Sequence, residues 1–378
     1  MESTLNPLSL TRKLLSFNTI NPPGDEHDCA KYCGSFLEEV GFEVKYYEFG
    51  DKRTSVIARL RGIGNKPSIC FTGHLDTVPL GKTAWQKDPF GGEVDGDRVY
   101  GRGSSDMKAG VAAMLLMARS LAKMSSSEVA ITLVLTAGEE TCCEGGYHVA
   151  RLGNTLGKAG AIIVGEPTSN YPLIGHKGCV RFEITTKGIT AHASMPELGE
   201  NAIHKAAQVV TKLQEINFQT SIHPLLGAPT LNIGTISGGI NINSVPDKAT
   251  IGIDIRTIPD KDGIEIQKSI QEILGKDVEV KLLEQASSIV TDFEHEWVQE
   301  VFDIMERILG DHIVPSAASF FTDASVLTPA YDNPPTIILG PGEPTMAHKT
   351  DEYCYIAKIE EAIQAYTEIA MNWCELKA

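Results

Sequence analysis

The chain has 378 residues, 42% apolar and 22% charged, which is enough for two domains of ordinary globular composition, each burying its own core. A formal charge of −16 speaks against nucleic acid or an anionic membrane surface as partner, because both attract basic patches, and it is compatible with carboxylates gathered around a cation. Eight cysteines without paired Cys-x2-Cys spacing exclude a disulfide framework and a structural zinc finger, leaving reduced thiols as the expectation. The amino-terminal stretch lacks a basic segment followed by a continuous apolar core, and no apolar run approaches bilayer-spanning length. A cytoplasmic protein without membrane contact is expected.

In chain order, Asn6 and Pro7 of "NPLSLTRKLLSF" predict a capped helix with Leu10, Leu14 and Phe17 on one face. "NTINPPGDE" breaks it, and "DCAKYCGSFLEEVGF" predicts a second helix closing near Gly41. "EVKYYEF" and "TSVIARL" follow as strands, and "SICFTG" as a buried one. "MKAGVAAMLLMARSLAKM" is a long apolar helix. "VAITLVLTA" and "AGAIIVG" are short apolar runs of the kind found in a covered, mostly parallel sheet, so this part is α/β.

Near residue 178 the style changes. "CVRFEITTKG" alternates as a half-exposed strand, "GENAIHKAAQVVTKLQEI" is helical, "TLNIGTISGG" and "KATIGIDIRTIP" are strands, "GIEIQKSIQEIL" is a helix and "DVEVKLLE" a strand. That β-α-β-β-α-β order predicts a ferredoxin-like α+β unit. "EWVQEVFDIMERIL" and "PTIILG" then return to the earlier style. The expected organisation is one α/β domain, residues 1–178 and 289–378, interrupted by an inserted domain at 179–288, with hinges at "GHKG" and near "EQASS".

Sites in open α/β sheets form at the carboxyl ends of strands. "SICFTG" leads to His74 and Asp76, "ITLVLTAG" to Glu139 and Glu140, "AIIVG" to Glu166, and "TIILGPGEPTMA" to His348. Asp106 opens the long helix. Singly, each has a bland reading: a structural histidine, a solvated Glu-Glu turn, a helix N-cap at Asp106. Together they would repel and desolvate one another at considerable cost unless a multivalent cation were bound. Imidazole and carboxylate without thiolate suit zinc, with cobalt or manganese as substitutes. The set is too large for one tetrahedral ion and fits two ions sharing a carboxylate. In an extended segment Asp76 points the same way as His74, so its carboxylate can accept the other ring N–H. If the chain is also extended at Glu139 and Glu140, one can bind metal while the other faces the reaction space as general acid and base. "YGRGSSDMKAG" is glycine-rich, but its spacing and the lack of a preceding strand argue against a phosphate loop.

"GHLDTVP", "GRGSSDMKAG", "AGEET", "VGEPTS" and "GPGEPTMAHKTDEY" resemble the zinc-dependent acetylornithine deacetylase / succinyl-diaminopimelate desuccinylase family, which also includes aminoacylases and glutamate carboxypeptidases. The resemblance spans essentially the whole chain. It implies a dizinc, exopeptidase-like catalytic domain. His74, Asp106 and Glu166 would hold one zinc, and Asp106, Glu140 and His348 the other. It makes Glu139 the general base and Asp76 the orienter of His74. It also implies a homodimer formed through the inserted lid domain, with His192 of "GITAHAS" reaching the other subunit's site. Asn243 is expected near the substrate carbonyl and Arg256 on the substrate carboxylate. The alternative for Arg256 is a strand residue paired with a neighbouring acid. Relatives carry Gly-Thr-Asp or Gly-Thr-Glu where "SFFTDAS" has Phe321 before Thr322 and Asp323, a loop expected to line the acyl pocket. Cys142 and Cys143 are expected as buried packing. The expected substrate is a small N-acylated amino acid, with acetylornithine first, and succinyl-diaminopimelate next because Lys177 can meet a succinyl carboxylate. A dipeptide-cleaving exopeptidase would keep every metal residue, whereas a non-catalytic zinc-binding protein would be expected to lack Glu139 or a ligand, and none is missing.

Overall fold

A computed structural model describes residues 6–60, 62, 66–124, 130–216, 218, 222–259 and 262–375. Two compact units divide them: His176–Ile289 with Ala318–Phe321 form one, and the remaining described residues form the other.

The larger unit is built on a six-stranded sheet in the order Glu43–Gly50, Arg53–Leu60, Ile131–Thr136, Ser68–His74, Ala159–Val164, Thr336–Ile338. The last four pair in parallel, and Arg53–Leu60 runs antiparallel to both its neighbours, so the mostly parallel sheet expected from the sequence contains one reversed strand. The reversal follows from chain length: only Asp51 and Lys52 separate the first two strands, and a link that short joins antiparallel neighbours. Ser68–His74 and Ile131–Thr136 are buried almost end to end because helices cover the sheet. Ala109–Lys123, apolar on nearly every side, packs on the helix Ile356–Trp373. Register sets the site. His74 lies level with Thr136, and Thr72 with Val164, so three strands end along one edge.

The first helix, Pro7–Leu15, carries the cap its sequence predicts: Ser9 N–H donates to Asn6 Oδ1 at 2.7 Å, and Asn6 N–H donates back to Ser9 Oγ at 3.0 Å. One expectation fails. A strand, Arg98–Tyr100, does precede the "GRGSSD" loop, and at three residues it is too short to show any alternation. All eight cysteines are free and buried. No helix among the described residues is long and apolar enough to cross a membrane.

The smaller unit is a four-stranded antiparallel sheet in the order Thr230–Gly238, Lys248–Thr257, Gly178–Lys187, Val278–Ala286, with helices Ala202–Gln214 and Gly263–Leu274. Numbered along the chain the order is 2-3-1-4, the ferredoxin-like arrangement. Every second residue of Lys248–Thr257 is buried. Phe182, Ile184, Ile251, Ile253 and Ile255 on the strands therefore meet Val209, Leu213, Ile266 and Ile270 on the helices.

Candidate metal centre

At the shared strand edge, Asp106 stands between two imidazoles. Its Oδ1 lies 3.0 Å from His74 Nε2 and its Oδ2 lies 3.2 Å from His348 Nε2. Glu166 Oε1 is 3.8 Å from His74 Nε2, and Glu140 Oε1 is 3.2 Å from His348 Nε2. Donor atoms of His74, Asp106 and Glu140 lie within 4.8 Å of one another, as do those of His74, Glu139 and Glu166. The cluster is lopsided: the side chain of His74 is 1% exposed and that of His348 is 54% exposed.

Asp106 is no N-cap. Its φ of −121° and ψ of 92° are non-helical, Lys108 occupies the cap position of Ala109–Lys123, and no side chain bonds there. Asp76 also departs from expectation in detail. The nearest acceptor for His74 Nδ1–H is the Asp76 main-chain oxygen at 2.9 Å, with the carboxylate farther away at 3.5 Å. That carboxylate accepts instead from the main-chain N–H of Glu139 (3.1 Å) and of Glu140 (3.2 Å), and from Asn21 Nδ2 (2.9 Å). Residues 139–142 therefore form a turn around a buried anion rather than the extended segment considered above. Asn21 had no sequence signal, because its partner is 55 residues away. Asp76→Ala strands two amides and an asparagine, and is expected to cost about 3 kcal/mol in urea unfolding of the metal-free protein. A change within error would mean that water replaces the carboxylate.

The electrostatics describe a site short of positive charge. Burial lowers the His74 imidazole, yet Glu166, Asp106 and Asp76 outweigh it and hold it well above its usual range. Hydrogen bonding to Asp106 and Glu140 raises His348 to about 10. Burial, reinforced by neighbouring carboxylates, pushes Glu139, Glu140 and Glu166 up. Burial acts the same way on Asp106, but His348 and His74 overcome it and draw its carboxyl down. Among the described residues no lysine or arginine ion-pairs with these four carboxylates. Buried, uncompensated imidazole and carboxylate donors fit divalent cations. Cys143 Sγ is 4.0 Å from Glu139 Oε1, burial pushes its thiol well up, and it belongs to neither group of converging donors.

The remaining predicted residues have local partners. Thr322 is buried and its hydroxyl accepts from Ala324 N–H at 3.1 Å. In the smaller unit, Lys177 Nζ donates to Ala228 O at 2.6 Å. Arg256 Nε donates to Asp254 Oδ1 at 2.8 Å, and its guanidinium lies 5.7 Å from the Phe321 ring centroid. The segments of His192 and Asn243 pair directly, with Ala193 N–H donating to Asn243 O at 3.0 Å. His192 is exposed, and its Nδ1 lies 2.7 Å from Ser194 Oγ and 3.2 Å from Ser194 N.

A mostly parallel α/β sheet with imidazoles and carboxylates converging at its strand ends defines a metal-dependent hydrolase class. The chain belongs to peptidase family M20/M25/M40, whose profile matches residues 70–372. It is 31% identical over 381 residues to a succinyl-diaminopimelate desuccinylase of Wolbachia pipientis subsp. Culex pipiens (strain wPip), covering 98% of this chain and 94% of that one. It is 28% identical over 375 residues to an acetylornithine deacetylase of Vibrio parahaemolyticus, covering 95% of each. An M20 family metallo-carboxypeptidase from Sulfolobus solfataricus shares its fold, with a TM-score of 0.82, 18% identity and full coverage of both chains. The protein is a metallohydrolase acting on amide bonds.

Proposed function

We propose that the protein removes the acyl group from an N-acylated diamino acid, the chemistry shared by N-succinyl-diaminopimelate and N-acetylornithine. The observation that carries the two-ion chemistry is Asp106, with one oxygen toward His74 and the other toward His348, and the substrate class follows the desuccinylase and deacetylase relatives. Two divalent ions, zinc by the donor set with cobalt or manganese as substitutes, would be held by His74, Asp106 and Glu166 and by Asp106, Glu140 and His348, and would supply Lewis-acid polarisation of the acyl carbonyl and acidification of water. Glu139 takes the proton of the attacking water and returns it to the departing amine. Asp76 holds the main chain of the Glu139–Glu140 turn that carries this carboxylate and the proposed ligand Glu140.

His192, reaching the other subunit's site, donates to the carbonyl oxygen as negative charge develops, and Asn243, whose segment pairs with that of His192, lies near the same carbonyl. Arg256 binds the substrate carboxylate, giving up part of its pairing with Asp254, and Lys177 and Thr322 line the acyl side. The reading includes a cytoplasmic homodimer joined through the inserted domain, which acts as a lid. In support, the edge strand Thr230–Gly238 and the loop after it expose Ile236 (56%), Ile240 (92%) and Ile242 (101%), apolar groups that a second copy would cover.

The test is hydrolysis by zinc-loaded protein of N-succinyl-diaminopimelate, N-acetylornithine, other N-acyl amino acids and dipeptides. Cleavage of one acylated diamino acid, abolished by chelation and restored by metal, is expected. Cleavage of dipeptides alone would refute the substrate class and leave an exopeptidase. Bound metal without turnover on any compound would refute deacylation.

A further inference from the structure

We infer that Glu352, together with Arg102, is a positioning pair that fixes Asp106 and His348 relative to each other. The inference rests on the proposed metal roles of those two residues. Both members of the pair are buried, at 0% and 1% exposure. Glu352 Oε1 accepts from the main-chain N–H of Ser105 (2.8 Å) and of Asp106 itself (3.0 Å). Its Oε2 accepts from Gly103 N–H at 3.0 Å and from Arg102 Nη1 at 2.5 Å. One carboxylate thus gathers three amides of the "GRGSSD" loop, those of Gly103, Ser105 and Asp106, and the main-chain oxygen of Glu352 takes the N–H of Gly101 at 2.9 Å. Asp106 has non-helical dihedrals, so the helix that follows does not fix its direction, and these bonds do.

Arg102 carries the connection across. Its Nη2 lies 3.2 Å from Pro79 O, in the segment that follows His74 and Asp76, and 3.4 Å from His348 O. The Trp85 ring covers the guanidinium at 5.1 Å, keeping it dry. Three segments that bear proposed ligands therefore meet on one buried ion pair. An ordinary core salt bridge would need one or two of these bonds. Here both carboxylate oxygens accept from main-chain amides of the Asp106 loop, Arg102 Nη1 joins the two side chains, and Nη2 is spent on the main chain of the other two site segments. Groups that orient metal ligands in this way set affinity as well as geometry.

Glu352→Gln keeps the shape, replaces one oxygen with a donor that faces Gly103 N–H and Arg102, and removes the charge. Equilibrium dialysis against zinc, and titration with cobalt followed by its visible absorption, are expected to show wild-type protein binding two ions. In the variant, the affinity for one of them should fall by about 10–100-fold. kcat should fall with it while KM stays within twofold. Thr291→Val, which deletes a buried bond to Thr336 O remote from this loop, supplies a control of general destabilisation. Equal loss of metal affinity in that control, at equal loss of thermal stability, would overturn the inference. So would a folded Glu352→Gln protein with both ions bound at wild-type affinity. Wild-type protein that binds no metal would instead sink the reading on which the inference rests. Should Glu352→Gln be insoluble, Arg102→Lys keeps the charge and gives up the reach to Pro79 and His348. Selective weakening of one ion is again expected, and insolubility of both variants would assign the pair to folding alone and overturn the inference.

Discussion

Glu139→Gln is expected to leave a folded protein that binds its metal ions and has lost about 10²–10⁴-fold in kcat, the usual share of a positioned acid–base group. Glutamine fills the same space and cannot take a proton from water. The carboxylate it replaces is 5% exposed, with the His74 imidazole as its cationic neighbour and no ion pair to lysine or arginine among the described residues. Burial and Glu166 push its carboxyl well above the ordinary range, which suits a group that must both accept a proton and release it. Glu140→Gln makes the contrast. Glu140 lies 3.2 Å from His348 and belongs to the proposed ligand set, so its loss should appear first as weaker metal binding. Steady-state kinetics with metal analysis of the same samples separates the two. Wild-type kcat in Glu139→Gln would mean that another group carries the proton. Lost metal in that variant would mean that Glu139 is a ligand.

Much of the cluster was legible because sequence distance matters little once strands are parallel. His74, Glu139, Glu140 and Glu166 each follow an apolar run, and parallel runs end together, so their meeting could be expected from the pattern alone. The inserted unit was legible for a similar reason: its strands alternate cleanly, as the burial of Lys248–Thr257 shows. What escaped was main-chain hydrogen bonding. The grip of Asp76 on two amides, the reach of Asn21 and the Glu352–Arg102 pair all connect side chains to backbone far away in the chain, where no periodicity records them. The reversal of Arg53–Leu60 escaped because an apolar run has no direction in sequence, although the two residues before it do set one. Side-chain chemistry was readable here, and the scaffolding that aims it was not.

Loading the metal-free protein with zinc near pH 7 is expected to expel about two protons or more, from the two imidazoles and from the raised ligand carboxyls of Glu140 and Glu166, because ligands bind deprotonated. Both imidazoles hold protons in the metal-free state: His348 is raised to about 10 by Asp106 and Glu140, and His74 stands well above its usual range among Glu166, Asp106 and Asp76. The sign of the pH dependence then differs between the two states. A histidine whose folded value exceeds its unfolded value of about 6.5 contributes stability that is complete below that pH and is lost as pH rises toward the folded value. The raised Glu139 and Glu166 act in the same direction, and the depressed Asp106 matters only in acid. Metal-free protein should therefore melt at lower temperature as pH rises, from about 4.5 where the raised glutamates begin to lose their contribution and further above about 6.5 where the histidines join them. Zinc affinity and the stabilisation zinc confers grow over the same interval. Calorimetric titration in buffers of different ionisation enthalpy counts the protons, and melting curves with and without zinc give the two slopes. Zinc binding that releases no protons would show that neither imidazole is a ligand. Parallel slopes would show that the carboxylates, rather than the metal, are what these histidines serve.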